Sequence, residues 1–317
     1  MHRASQGPGF AEALVVGGSN QRLAKIGSLL EWSAFEGLLA PIYSAEKGRP
    51  SYPPLSMLKV MLLQQWYGLS DPGMEEALGD RLSFRRFTGL ALDETVPDHS
   101  TISRFRSELV RLGLTEAILL EANRQLEAKG LIIKKGTMID ATLVAAAAAE
   151  PPKQKGGGRS AADPDAVWVK REGGKAVFGY KLHIAVDRGS LIVRAARLTP
   201  ANVNEITVGP DMVQGDERMV WADKGYVGPT MRERLAVHGI KDGVQRRNTR
   251  GHRLTRPEIR RNTLIARVRG RVEGVFGTLK RCYGLGRMRY MGLARNAAAS
   301  LLLLTAWNCA RAADRTA

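Results

Sequence analysis

A chain of 317 residues is too long for one ordinary core and implies at least two domains. Apolar residues make up 44%, enough for globular packing, and the formal net charge of +17 points to a polyanionic partner. The two cysteines, Cys282 and Cys309, have no CxxC partners, which excludes the usual zinc spacing and a disulfide framework.

Taken in order, residues 1–19 are Gly-rich and read as a flexible N-terminus. The periodicity of Leu23, Ile26, Leu30 and Phe35 predicts a helix from Asn20 to about Leu39. Pro53 and Pro54 open an apolar helix over Leu55–Tyr67, closed by Gly68. Ser70 or Asp71 caps the next helix, Phe84, Phe87 and Leu90 mark a short one, and Asp98 caps another. That last helix buries Ile102, Phe105, Leu109 and Leu112 and carries Arg104, Arg106 and Arg111 on its opposite face. A final helix runs from Thr115 to about Lys129. Residues 20–130 thus form an all-helical domain. Its basic helix could enter a major groove, or it could be a plain bundle with a solvated face.

After Gly130 the pattern changes. Leu131–Val144 reads as a strand containing Asp140. Residues 150–175, rich in Pro, Gly and Lys, read as a long mobile loop. Ala176–Val186 and Leu191–Leu198 form a hairpin about an Asp187–Ser190 turn. Asn204–Val213 reads as a helix, Arg218–Ala222 as a buried strand, Pro229–His238 as a helix and Ile240–Gln245 as a strand. The stretch 266–281, ARVRGRVEGVFGTLKR, reads as a helix with an apolar stripe of Val272, Val275, Phe276 and Leu279. Asn296–Ala312 is a last apolar helix; its apolar stretch, Ala297–Ala310, is interrupted by Ser300, Thr305 and Asn308 and is too short to span a bilayer. The N-terminus does not read as a signal peptide, so a cytoplasmic protein is expected.

The expected fold is α+β or α/β. An all-helical domain (20–130) precedes a mixed sheet in the ribonuclease-H-like arrangement (131–295), and a C-terminal helix (296–317) follows.

The charge is local. Residues 246–295 hold 15 Lys and Arg against Glu258 and Glu273, a net +13, which leaves +4 for the remainder. A concentrated basic patch is the footprint of a nucleic-acid binder. Three acids stand out against it: Asp140 inside a strand, Asp223 at the end of a hydrophobic strand, and Glu273 on the basic helix. A carboxylate within a sheet is costly unless it is paired or coordinated. Converging carboxylates repel, and a hard divalent ion such as Mg²⁺ or Mn²⁺ relieves that repulsion. Plain alternatives stand beside this reading. Asp140 could end its strand, Asp223 could pair with Lys224, and Glu273 could pair with Arg269 or Arg271.

MIDAT (138–142), VWADKGY (220–226) and the 266–281 stretch together resemble the three blocks of DDE transposases of bacterial insertion sequences, closest to the insertion-sequence-five family. The third block is similar to the pattern Y-x2-R-x3-E-x6-K. Arg269, Glu273 and Lys280 match it, whereas Ala266 stands at the Tyr position. GRPSYPPLSMLKVMLLQQWYGLSD and VPDHSTISRFRSEL are similar to the family's N-terminal helices, so the likeness covers most of the chain.

The resemblance implies a metal-binding catalytic triad of Asp140, Asp223 and Glu273, with two Mg²⁺ or Mn²⁺ ions. It implies cleavage at the element's ends followed by attack of the freed 3′-OH on target DNA. Arg269 and Lys280 would grip the transposon end. Arg271, Arg281, Lys224 and Tyr226 are further candidate DNA contacts, with Arg104 and Arg106 on the N-terminal helices. The partners implied are double-stranded DNA (terminal inverted repeats and target) and a second copy of the chain, in a dimer or larger synaptic assembly at the nucleoid. Tyr226 as a recombinase nucleophile lacks an activating Arg/His cluster. The rival classes are a domesticated, non-catalytic DNA-binding protein and a structure-selective nuclease on the same fold.

Overall fold

The computed structural model describes residues 20–42, 51–152, 160–170, 176–251 and 253–316. The flexible N-terminus expected over 1–19, and the loop segments 153–159 and 171–175, lie outside the described residues. The chain divides into two compact units: residues up to Lys129 together with Ala298 onward, and Gly130–Ala297.

The first unit is helical: α1 (Gln21–Leu29), α2 (Ser33–Leu39), α3 (Pro54–Tyr67), α4 (Asp71–Asp80), α5 (Leu82–Thr88), α6 (His99–Arg111) and α7 (Leu114–Ala128). Local chemistry sets the boundaries. Pro54 opens α3, and Gly68, at φ 66°, closes it in the left-handed conformation that glycine adopts without strain. Ser70 caps α4 by accepting from the Gly73 N–H, and Asp98 caps α6 by accepting from the Thr101 N–H at 2.6 Å. The single helix expected over Asn20–Leu39 is two. Leu30 is extended, and the Trp32 indole at the break donates to the Gly27 carbonyl. Helix α3 is buried along most of its length, through Met57, Leu58, Val60, Met61, Leu62 and Leu63, and forms the middle of the unit.

Arg106 is the main departure here. It was expected on an exposed basic face, yet its side chain is buried and its guanidinium grips Asp71 of α4 and the Gln64 amide of α3. Arg106 is therefore a structural ion pair, not a contact for phosphate. Arg104 stays exposed and folds back onto Ser100.

The second unit comprises β1 (Thr137–Ala145), β2 (Val167–Lys170), β3 (Ala176–Asp187), β4 (Val193–Pro200), α8 (Glu205–Val208), β5 (Met219–Ala222), α9 (Pro229–Val237), β6 (Lys241–Val244) and α10 (Arg256–Cys282). Its six-stranded sheet runs β2-β3-β1-β5-β6, and β4 also pairs with β3. Strands β1, β3 and β4 are antiparallel neighbours, whereas β5 and β6 run parallel to β1. Three antiparallel strands followed by parallel ones make the mixed sheet of the ribonuclease-H-like arrangement. One face packs Ile139, Ala185, Val220 and Ala222 against Val208, Met212, Met231 and Leu235.

Four boundaries differ from expectation. Strand β1 begins at Thr137, six residues after Leu131, because Lys134 and Gly136 at positive φ keep the preceding residues out of the ladder. Val167–Lys170, inside the stretch read as loop, is strand β2 paired with the start of β3, and Trp168 packs on Phe178. Three β-forming residues, Val167, Trp168 and Val169, are hidden there by the Pro, Gly and Lys around them. The helix expected over Asn204–Val213 is one α-turn and then a 3₁₀ turn, Gly209–Met212, because Pro210 interrupts the ladder. Helix α10 begins ten residues before Ala266, at a Thr255/Glu258 capping box with Pro257 in its first turn.

Helix α11 (Leu293–Ala313) follows the second unit, and its residues from Ala298 onward complete the first. There the Trp66 indole donates to the Ala306 carbonyl at 2.8 Å, and Asn308 bonds Asn123. Among the described residues no helix is long and apolar enough to cross a membrane.

Candidate active site

Strands β1 and β5 pair in parallel through Thr137↔Val220 and Met138↔Trp221. Both pairs are offset by 83 residues, the spacing of Asp140 and Asp223. Continued by two residues, this register sets the two aspartates side by side. The period of two puts both on the face shared by Met138 and Trp221. Asp140 remains within β1, opposite Ile184 of β3. Strand β5 has ended at Ala222, and Asp223 caps the 3₁₀ turn Lys224–Tyr226 by accepting from the Gly225 N–H at 2.7 Å.

Helix α10 lies along β1. Val272, Val275, Phe276 and Leu279 are buried, as the apolar stripe requires. The polar residues of α10 then meet the strand in order. Arg269 Nη1 donates to Asp140 Oδ2 at 2.6 Å. Lys280 Nζ donates to Thr142 Oγ1 at 2.7 Å and to the Leu143 carbonyl at 3.2 Å. Arg269 Nη2 lies 3.8 Å from Glu273 Oε1, one turn along the helix. One guanidinium thus bridges two of the three acids. The Glu273 side chain is 68% exposed.

Burial pushes the Asp140 carboxyl up to about 6. Arg269 and the Ala141 N–H oppose this, and the charges of Asp223 and Glu273 add to it. Each of the other two acids therefore acts on Asp140. Tyr226 is fully buried. Burial first, then Asp140, Glu205 and Asp223, hold its proton on, and Arg269 opposes them. Its hydroxyl has no hydrogen-bond partner among the described residues.

Behind the sheet, Lys181 of β3 donates to Glu205 Oε1 at 2.7 Å and to the Val203 carbonyl. His183 shares a hydrogen bond with Thr199. Burial, then Lys181, depresses His183 to about 4.

The expected residues fare differently. Asp140, Asp223 and Glu273 share one neighbourhood. Arg269 and Lys280, expected as grips on DNA, are both engaged by β1. Arg271 is exposed and donates to the Arg188 carbonyl, and Arg188 lies 5.0 Å over the Trp221 ring. Lys224 and Arg281 are exposed. Tyr226 is only 1% exposed, so a direct contact with duplex DNA is corrected: the apolar cluster beneath β5 has enclosed its ring. Sequence reasoning missed Lys181 and Glu205. Lys181 carries a signal that was available, a charged residue inside the apolar run AVFGYKLHIAV.

Among the described residues no group of three or more His, Cys, Asp or Glu side chains is close enough to hold a metal ion. The donors are nonetheless all carboxylate oxygens, the set that hard divalent cations select. A guanidinium already stands between two of them. In donor chemistry the residues fit a hard divalent cation.

The chain matches two family models. Residues 14–108 match a Transposase domain (DUF772), and residues 133–309 match a Transposase DDE domain. A solved structure, a cryo-EM structure of a piggyBac transposase synaptic complex with hairpin DNA, is similar over 93% of this chain and 73% of its own, at 7% identity and a TM-score of 0.45.

Proposed function

This chain belongs to the Transposase DDE domain family, and we propose that Asp140, Asp223 and Glu273 are the acids of its active site. Enzymes of this family cleave DNA and transfer strands in transposition, and they use divalent metal ions. Within the family we place the chain with the insertion-sequence-five transposases, on the three sequence blocks. The observations that support the site are the β1–β5 register, which continued by two residues would bring Asp140 level with Asp223, and Arg269 spanning Asp140 and Glu273.

Two Mg²⁺ or Mn²⁺ ions held by these carboxylates would stabilise the attacking and leaving oxygens of a phosphodiester displacement. The chain's own residues do the rest. Asp140, in β1, and Asp223, at the end of β5, sit on rigid backbone and define the site. Glu273 is exposed on α10 and completes the set as the carboxylates close. Arg269, released from Asp140, turns its fork to the phosphate at the cut. Lys280 holds α10 to β1 through Thr142. The exposed Arg271, Arg281 and Lys224 bind flanking phosphates. The helical residues 20–130, through Arg104, bind the terminal inverted repeats, and residues 131–295 carry the chemistry. Two ends are held together by two or more copies of the chain, at the nucleoid.

The test is incubation of the protein with DNA carrying the element's ends and Mg²⁺ or Mn²⁺. The expected products are 3′-OH ends and their joining to target DNA. Cleavage that survives Asp140→Ala, Asp223→Ala or Glu273→Ala would remove that residue from the site.

A further inference from the structure

We propose that Tyr226 is a positioning residue of the acid site, its phenol donating a hydrogen bond to the acid carboxylates once a divalent cation gathers them. The inference rests on the acid-triad reading above. Tyr226 is 1% exposed and its hydroxyl has no partner among the described residues. A buried hydroxyl without an acceptor is destabilising, and phenylalanine would fill the same space without that cost. The hydroxyl therefore calls for an acceptor that arrives with function.

The ring cannot swing away to find another acceptor. Gly209 faces it so closely that a Cβ there would come within 2.6 Å of the ring, and Met231 closes the same side. The Tyr226 N–H donates to the Asp223 carbonyl at 3.2 Å, and Asp223 caps the same turn. Acid and phenol are thus fixed three residues apart on one short turn.

Burial first, and then the charges of Asp140, Glu205 and Asp223, push this phenol well above its ordinary value, so all three acids lie within electrostatic reach of it. Among the described residues no carboxylate lies within hydrogen-bonding distance of this donor. Among the described residues the acids also stand too far apart to hold a metal ion. Inward movement of the carboxylates closes both gaps together. A donor that orients a ligating carboxylate tunes its hold on the cation. Glu205, anchored by Lys181, contributes charge to the phenol's surroundings and stays in place.

The experiment titrates the full-length chain with Mn²⁺ alone, for wild type, Tyr226→Phe and Asp223→Asn. It follows the heat of binding and the Mn²⁺-induced rise in melting temperature. Without Mn²⁺, Tyr226→Phe melts at or above wild type. Its Mn²⁺ affinity falls about 10-fold, and the Mn²⁺ concentration giving half-maximal cleavage of end DNA rises in parallel. Asp223→Asn loses the binding. If Tyr226→Phe matches wild type in both readouts while Asp223→Asn loses binding, the positioning role falls and the triad stands. If Tyr226→Phe melts well below wild type without Mn²⁺, the phenol is a structural bond and the proposal falls. If Asp223→Asn binds as wild type does, the triad reading fails and takes this inference with it.

Discussion

Each unit contains an arginine bound to an aspartate, and the two pairs behave in opposite ways. In the first unit the Arg106 guanidinium reaches both carboxylate oxygens of Asp71, and the Gln64 amide donates to the same carboxylate at 2.8 Å. Burial works against ionisation of Asp71. The bonds from Arg106 and Gln64 outweigh it and hold the carboxyl below its ordinary value. In the second unit Asp140 has one bond from Arg269 and one from the Ala141 N–H, with two other acids acting against it. Its carboxyl rises. The same ion-pair chemistry is complete in one place and incomplete in the other.

The contrast extends beyond the pairs. Asp163 Oδ2, His183 Nδ1, Tyr226 Oη and Arg269 Nε are buried without a hydrogen-bond partner among the described residues, and all four lie in the second unit. Native interiors satisfy nearly all buried polar groups, so a concentration of exceptions marks a region shaped for something besides folding.

The largest effect that could break this contrast is catalytic. Asp140→Ala, Asp223→Ala and Glu273→Ala should each lower cleavage of end DNA by about 10³-fold or more, the loss of about 4 kcal/mol of transition-state stabilisation. Binding of end DNA in a mobility-shift assay should persist.

The two arginines should then separate in opposite assays. Arg106→Ala leaves Asp71 unpaired and should cost about 3 kcal/mol of stability in denaturant unfolding. Arg269→Ala should cost about 1 kcal/mol, because Asp140 accepts a proton instead, yet should lower cleavage about 100-fold. Equal losses of stability would erase the distinction.

The pH dependence of stability offers a comparable handle. His183 has a folded value of about 4, below its ordinary 6.5. The unfolded chain therefore takes up the proton first as pH falls. The stability His183 contributes is complete above pH 6.5 and is lost through pH 4, about 3 kcal/mol in all. His183→Gln should flatten wild-type unfolding over that window. An unchanged pH slope would show that His183 titrates freely.

The smallest effect is at the surface. Arg271→Ala should reduce the slope of log binding constant against log salt by about one, with little dependence on DNA sequence. An unchanged slope would remove Arg271 from the DNA contacts.

Much of this could be read from local chemistry. Asn20, Ser70 and Asp98 cap helices because their side chains satisfy free N–H groups, which depends only on neighbouring residues. Asp140 inside a strand and Asp223 at a strand end follow from the apolar runs around them. What could not be read depends on partners far along the chain. The β1–β5 register has an offset of 83 residues, the spacing of the two aspartates, and this is visible only once those strands pair. Arg106 looked exposed because its own helix turns it from the Ile102, Phe105 and Leu109 stripe, yet Asp71 approaches from α4. Tyr226 looked accessible beside Asp223 because nothing local shows that Gly209 and Met231 close over its ring.

Helix α11 has a consequence for synthesis. Residues 298–313 belong to the helical unit, where Ala306 accepts the Trp66 indole bond and Asn308 pairs with Asn123. The first 129 residues by themselves lack these two bonds and the buried Leu302, Leu304 and Ala306 of α11, so the helical unit gains its full set of contacts only from residues synthesised after the second unit.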